Sequence, residues 1–397
     1  MNIKKIELKR RRWEMPKMTL NINVFDAAIE RLKALYEDGH RVVVSFSGGK
    51  DSGVCLELCR IAAKETGRLP VDAVHRDEEI MAPGTFEYVR RMYHKKDVNL
   101  RWIIAGQPII NCFNRKLPYW WVFDPNEKDK WVRPSPPEAE WVKELNIEYM
   151  TIPERFPPAE GKKLFAVIGL RTCESRFRKM GLISSGNYIT RNPNRFGVYN
   201  CRPIYDMSDD DVWKAIYDNK WDYNEFYDVM HRLGANKNRL RVAPPTMTAG
   251  IESLKFLLQA YPKWFDKMEE RVPGVRTAAQ YGKRCILPIR RLGETWKDCN
   301  MRIYGNGNSP QWIVDRWKIV VERTLAYHNR HSTLPFPDTD FRGAGCPRCY
   351  GTLNSWKKIA ESMYMGDCFS QKATFLPQVE PELFREGAGT WGGKASW

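Results

Sequence analysis

Apolar positions along the first third of the chain alternate between two periods. Phe25, Ala28, Ile29, Leu32 and Leu35 recur at helical spacing and predict an amphipathic helix from Asn23 onward. Arg41-Val-Val-Val-Ser-Phe46 is instead a short, nearly continuous apolar run of β-branched character, the pattern of a buried strand. Gly48-Gly49 breaks it, and helical character resumes from Ser52 to Lys64. Val71 to His75 predicts a second strand, Pro83 to His94 a helix and Leu100 to Ala105 a third strand. This alternation predicts an α/β domain around a mostly parallel sheet.

The pattern changes over residues 114–160. Trp120, Trp121, Trp131 and Trp141 lie among Pro118, Pro125, Pro134, Pro136 and Pro137 and many charges, which reads as an insertion or lid rather than a core element. Leu164 to Leu170 restores a strand. Tyr205 leads into a helix, with Ser208 or Asp209 as the cap for Val212 to Tyr217. A more helical region rich in aromatics starts near Lys220. The organisation read from these shifts is a basic arm over 1–22, an α/β domain over 23–219 carrying the insertion 114–160, a helical, cysteine-bearing domain over 220–382, and a flexible Gly-rich tail over 383–397. No internal repeat occurs.

Composition narrows the class. With 397 residues, 43% hydrophobic and 28% charged, the chain has material for a sizeable core and is not of the disordered type. It has no run of eighteen apolar residues and no signal-peptide stretch behind its basic start, so a membrane span is not expected and the cytoplasm is the default location. The net charge of +16 attracts polyanions, and nucleic acid and small anionic nucleotides both satisfy it. Lys4, Lys5, Lys9, Arg10, Arg11 and Arg12 concentrate part of that charge in the arm. Ten cysteines in such a chain read as thiols, metal ligands or cluster ligands rather than disulfides.

The strongest candidate chemistry is Ser45-Phe46-Ser47-Gly48-Gly49-Lys50-Asp51-Ser52, placed between strand and helix. Two glycines let the backbone turn tightly and approach an anion with its N–H groups, and the following helix contributes its positive end. Lys50 supplies a point charge, Ser47 and Ser52 supply hydroxyls, and Asp51 caps the helix or places a metal ion. The spacing is neither that of a Walker A loop nor of GxGxxG. The hexapeptide Ser47–Ser52 resembles the PP-loop of the ATP pyrophosphatases, a superfamily that binds ATP or adenylyl-sulfate nucleotides on a doubly wound sheet.

Two further segments resemble the phosphoadenosine-phosphosulfate (PAPS) reductase branch. Ile168-Gly169-Leu170-Arg171-Thr172-Cys173-Glu174-Ser175-Arg176-Phe177-Arg178 matches its G-[IL]-R-x-x-[EQ]-S-x-x-R segment, whose strand end and arginines face the nucleotide phosphates or the transferred group. The resemblance implies nucleotide contacts for Gly169 and Arg171, and Arg171, Arg176 and Arg178 suit the phosphates because a guanidinium fork matches phosphate oxygens. Pro203-Ile204-Tyr205-Asp206-Met207-Ser208-Asp209-Asp210-Asp211-Val212-Trp213 resembles a helix-capping segment that plants Trp213 in the core. Asp77-Glu78-Glu79 follows the second strand, where relatives place an acidic or polar residue near the adenosine or its magnesium. Asp77 or Glu78 is the expected contact, a solvated acidic turn being the alternative. The implied cofactor is ATP, or PAPS, with Mg2+.

Cys346-Pro347-Arg348-Cys349 has the form of a zinc knuckle, which is half a site. The partners must come from Cys285, Cys299, Cys368, His328 or His331, and Cys285 with Cys299 is the preferred pair. Zn2+ and an iron–sulfur cluster such as [4Fe-4S] both remain open. The catalytic Glu-Cys-Gly-Leu-His tail of thioredoxin-dependent PAPS reductases does not occur. The layout resembles the large reductase-like proteins of bacteria, mobile elements and phages, of the immunoglobulin-binding-regulator type.

Three functions follow from these resemblances. The first cleaves the α–β phosphate bond of ATP to adenylate an acceptor, DNA or RNA, for sulfur incorporation, with a sulfur-donor or ParB-like partner protein and the tryptophans stacking on bases. The second is sulfonucleotide reduction with an unusual thiol source at Cys346 and Cys349. The third is a nucleotide-dependent DNA- or RNA-binding regulator without turnover. Lys50, Asp51, Arg171 and Arg176 are the expected catalytic residues of the first.

Overall fold

Six short strands line up in parallel in the order β6-β3-β2-β1-β7-β8. They are β1 (Arg41–Ser45), β2 (Val71–Arg76), β3 (Val98–Ala105), β6 (Glu140–Val142), β7 (Leu164–Val167) and β8 (Val198–Cys201). β4 (Pro108–Ile110) and β5 (Tyr119–Trp121) form a separate antiparallel pair. The computed structural model describes residues 21–364 other than 107, 115, 118, 143–154, 187, 195, 237–239, 306–308, 340–345, 347 and 350–352. The basic arm up to residue 20, the Gly-rich tail and Cys368 lie outside the described residues.

The middle of β1, Val42 to Val44, is apolar and buried because the strand is central and covered on both faces. Val42 and Val44 enter the core shared with α1 (Val24–Glu37), α2 (Lys50–Glu65), α3 (Pro83–Tyr93) and α5 (Asp209–Asp218), whereas Val43 enters the opposite core with Val74, Ile103, Leu164, Ala166 and Phe156. α4 (Arg176–Ser185) connects β7 to β8. Local signals set the helix starts. The Asn23 side chain accepts from Asp26 N–H at 2.9 Å, and Ser208 forms a reciprocal capping box with Asp211. Ser208, not Asp209, is therefore the cap of α5, which leaves Asp209 available for other contacts.

Chain direction diverges at β1, which neighbours β2 on one side and β7 on the other. In open parallel sheets the crevice beyond the carboxyl ends of such strands is where ligands bind. The Ser47–Ser52 loop leaves β1 at this point.

The C-terminal region is mostly helical: α6 (Phe226–Arg232), α7 (Leu254–Ala260), α8 (Pro262–Arg271), α9 (Val275–Tyr281), α10 (Trp296–Gly305), α11 (Gln311–Asn329) and α12 (Trp356–Tyr364). One core draws Ile104, Ile109, Trp120, Val122, Phe123 and Val132 together with Phe226, Leu254, Phe265, Val272 and Ile313. The tryptophan-rich segment is thus partly a core element, contrary to the expectation of a lid. Trp120 and Trp121 are buried, which removes them as base-stacking surfaces; Trp141 is exposed. The physical reason is a fully buried ion pair. Glu79, at the end of β2, accepts from Arg271 Nε at 2.9 Å and from the N–H groups of Phe123 (2.6 Å) and Val132 (3.3 Å). Arg271 also donates to the Trp121 carbonyl and to Glu127. Sheet, insertion and α8 are tied at one point.

No helix among the described residues is long and apolar enough to cross a membrane.

Candidate functional site

The loop after β1 is built as its glycines require. Gly48 has φ +74°, and a Cβ there would meet Thr85 Cγ2 at 2.9 Å, so this turn takes no side chain. Ser52 Oγ accepts from Ser47 N–H at 3.2 Å and lies 2.9 Å from Ser47 Oγ, and it donates to the Gly49 carbonyl at 3.0 Å. The two serines therefore hold the bend closed, with Ser47 itself exposed.

Residues from well beyond the loop fix its far side. Asn224 is buried and donates to the Gly48 carbonyl and to Thr85 Oγ1, each at 2.8 Å. The Tyr227 hydroxyl accepts from Lys50 N–H at 3.0 Å, and burial pushes its own pKa up. Nothing in the local sequence marks these two residues, because both contacts span more than 170 positions.

The charges at the loop form a compact group. Lys50 is buried, with Nζ 2.9 Å from Asp51 and 3.3 Å from Asp209. Arg171 is buried too, 2.6 Å from Asp51 and 2.8 Å from Asp209. Burial works against the Arg171 charge, but Asp51 and Asp209 raise its pKa above the ordinary value. Arg171 and Lys50 in turn outweigh burial at Asp209 and lower its pKa. The expectation that Lys50 and Arg171 present free charges to a phosphate is modified: each is held by the same two carboxylates. Further out, burial and the nearby positive charges of Arg241 and Arg171 lower the pKa of Arg178, which pairs with Glu174. The Arg176 side chain lies outside what is described, while its backbone opens α4 behind the Ser175 cap. Gly169 packs directly against the first turn of α2.

Beside the loop is a cavity of about 210 Å³. Ser45, Phe46 and Ser47 line one side, Val74, His75 and Arg76 the other, and Val242 to Pro245 with Phe226 and Leu257 close it from the C-terminal region. This volume is below the roughly 300–1,000 Å³ of pockets that enclose a whole small molecule. Glu78 lines it and pairs with Arg76. Asp77 does not. It is buried, accepting from Trp102 Nε1 at 3.0 Å, from Glu79 N–H at 2.8 Å and from Arg133, so its oxygens are committed to the fold.

Residues 41–110 match the phosphoadenosine phosphosulfate reductase domain. Over these residues the loop-bearing region is similar to that domain. The chain is 23% identical to the Escherichia coli K12 protein YbdN over 409 residues, covering 96% of this chain and 97% of YbdN. It is 26% identical to protein MJ0973 of Methanocaldococcus jannaschii over 242 residues, which is 59% of this chain and 49% of that protein. Among solved structures, the Candida glabrata FMN adenylyltransferase complex with FAD and inorganic pyrophosphate overlaps 53% of this chain and 63% of its own, just under two thirds, at 13% identity and TM-score 0.34. The Candida auris phosphoadenylyl-sulfate reductase phosphate complex overlaps 57% of this chain and 97% of its own at 15% identity and TM-score 0.31.

Ser47 to Ser52 and the Gly169–Arg171 segment converge here, whereas the cysteines lie apart. Cys299 is buried in an apolar cluster with Trp317, Val320 and Ile359, its Sγ 3.9 Å from the Ile289 carbonyl and 3.6 Å from Arg302. It is not in the group that Cys346 and Cys349 join, whose other members are His328 and His331. The preferred pairing with Cys299 is thereby replaced; a thiol locked in a hydrophobic cluster cannot reach them. The backbone of Cys285 lies in the turn Gly282–Ile286, and its side chain is outside what is described.

Proposed function

We propose that this chain is a PP-loop enzyme that seats the adenine and ribose of ATP or a related nucleotide in the 210 Å³ cavity and leads the phosphates past Ser47 to the loop. The observation that carries this is that Ser47 lines that cavity and belongs to the same loop as Lys50, which is buried with Arg171 against the partly exposed Asp51 and Asp209. A phosphate arriving there competes with Asp51 and Asp209 for Lys50 and Arg171. Lys50 and Arg171 make charge-assisted bonds to phosphate as well as to carboxylate, so the arriving anion takes over bonds of the same kind. The freed carboxylates, with Glu78 at the cavity, are hard oxygen ligands suited to Mg2+. The surplus of guanidinium charge at Arg171, Arg178 and Arg241 supports an anion at this place.

The reaction that fits is displacement at the α-phosphorus. An acceptor oxygen attacks, pyrophosphate leaves, and Lys50, Arg171 and the loop amides stabilise the charge growing on the leaving group. The net charge of +16 supports a nucleic-acid acceptor, with sulfur from a donor protein displacing AMP afterwards. The family match favours one further reading, reduction of PAPS to sulfite.

Labelled ATP with Mg2+, with and without DNA or RNA, tests this. AMP and pyrophosphate release stimulated by nucleic acid is the expected result. Sulfite from PAPS and dithiol would favour the reductase, and binding without turnover a regulator. Lys50→Ala should weaken ATP binding at least tenfold; unchanged affinity would remove the assignment of the loop.

A further inference from the structure

Far along the chain from the loop, the end of α11 and the turn at 346–349 bring four soft ligands together. His328 is 1% exposed and its Nε2 lies 2.8 Å from the Leu334 carbonyl. A carbonyl only accepts, so Nε2 carries the proton and Nδ1 offers its lone pair, 3.4 Å from Cys349 Sγ. His331 sits just past the helix end with Nε2 3.4 Å from Cys346 Sγ and 3.6 Å from Cys349 Sγ. All four ligand atoms lie within 4.8 Å of one another.

These distances are informative. Tetrahedral zinc with Zn–S about 2.3 Å and Zn–N about 2.0–2.1 Å sets sulfur and nitrogen about 3.6 Å apart. Three separate N···S edges of 3.4–3.6 Å repeat that spacing. An imidazole–thiol hydrogen bond accounts for one such edge, not for three that share one centre. The surroundings also suit a metal. The carbonyl bond to His328 Nε2–H fixes ring and tautomer as outer partners of metal-bound histidines do. The Cys349 N–H donates to the Cys346 carbonyl at 3.2 Å, which closes the turn that carries both sulfurs. Cys346 N–H in turn donates to the Asn354 carbonyl at 3.1 Å, which anchors the turn.

We propose that His328 Nδ1, His331 Nε2, Cys346 Sγ and Cys349 Sγ hold one structural Zn2+. An iron–sulfur cluster distributes its protein ligands over different irons, which separates them beyond the contacts seen here. Four mixed nitrogen and sulfur ligands on one centre fill a tetrahedron and leave no open position for substrate, as in structural rather than catalytic sites. The ion ties the C-terminal end of α11 to the turn ahead of α12. The adjoining cluster of Trp317, Val320, Leu353, Trp356 and Ile359 is small, and metal binding supplies folding free energy that such a cluster lacks. The site stands independently of the nucleotide reading.

Metal analysis of the full chain, purified without added metal, should give about one zinc per chain. X-ray absorption of that protein should show a shell of two sulfurs and two nitrogens. Cys349→Ser and His331→Ala should each lower zinc affinity at least tenfold, while Cys299→Ser keeps it. Should the ligand variants not fold, the absorption spectrum of the wild-type protein decides alone. Iron with acid-labile sulfide, an all-sulfur shell, or metal-free protein with both thiols reactive would each overturn the assignment.

Discussion

A Cβ on Gly169 would stand 2.8 Å from the carbonyl carbon of Asp51 and 2.9 Å from Ser52 N. The strand-end segment of β7 and the first turn of α2 therefore touch backbone to backbone, and the loop's position depends on that contact. Gly169→Ala must push α2 away. Overpacking of this kind costs about 1–3 kcal/mol, and ATP affinity should fall at least tenfold with it. Gly181 in α4 has nothing within 4 Å of a built Cβ, so Gly181→Ala should be neutral or stabilising by up to about 1 kcal/mol. Thermal unfolding and ATP titration of both variants check the contrast. Equal effects would show that the close approach does not matter.

The Glu79–Arg271 pair leads to a second expectation. Both side chains are fully buried, and between them they contact β2, the insertion and α8. Arg271→Met leaves a buried carboxylate without its cation, which costs about 3–5 kcal/mol. Glu79→Gln in the same chain removes the uncompensated charge, so the double variant should be more stable than Arg271→Met alone. Denaturant unfolding of the three chains measures this. If instead the insertion is loosely attached, Arg271→Met will unfold at nearly the wild-type midpoint.

The sequence made the sheet's centre legible and its edges obscure. β1, β2 and β3 each carry a buried apolar run, and their periodicity and the Gly48-Gly49 break placed them within a few residues. β6 and β8 were missed. Each has three or four residues and mixed burial, and single-sided edge strands carry too little periodic signal. The loop could be read because its chemistry is local. Asp209 could not, since a Ser-x-x-Asp cap hides which acidic residue turns inward, and Asn224 and Tyr227 act across the fold. Counting prolines and tryptophans gave the wrong weight to the insertion: the apolar residues between them reach the core. His328 and His331 were among the possible partners of Cys346 and Cys349, but only folding shows that they are nearer than Cys299.

Tyr227 and Asn224 are expected to act on the nucleotide through the loop rather than by touching it. Tyr227→Phe leaves the buried Lys50 N–H without this acceptor, and Asn224→Ala takes a donor from the Gly48 carbonyl. An unsatisfied buried backbone group costs about 1–3 kcal/mol. Each change should speed amide exchange at Gly49 and Lys50 and weaken ATP binding. Because both residues brace one loop, the double variant should lose less than the sum of the singles. Additive losses would mean that they brace independent structures.

His75 makes stability depend on pH in a definable window. It is fully buried, with Nδ1 2.8 Å from the Phe46 carbonyl and Nε2 without a partner. Burial lowers its pKa to about 4, against about 6.5 in an unfolded chain. The unfolded state thus binds the proton more readily, so the stabilisation is complete above about pH 6.5 and is lost as pH falls toward 4. A shift of that size corresponds to about 3 kcal/mol at 1.36 kcal/mol per unit. Glu79, whose pKa burial raises, works in the opposite direction, so the wild-type curve alone is ambiguous. His75→Asn keeps a donor for the Phe46 carbonyl and cannot titrate. The difference in unfolding free energy between the two chains should therefore shift in favour of the variant as pH drops from 6.5 to 4. A difference that stays constant over this window would mean that His75 is already solvated when the cavity beside it is empty.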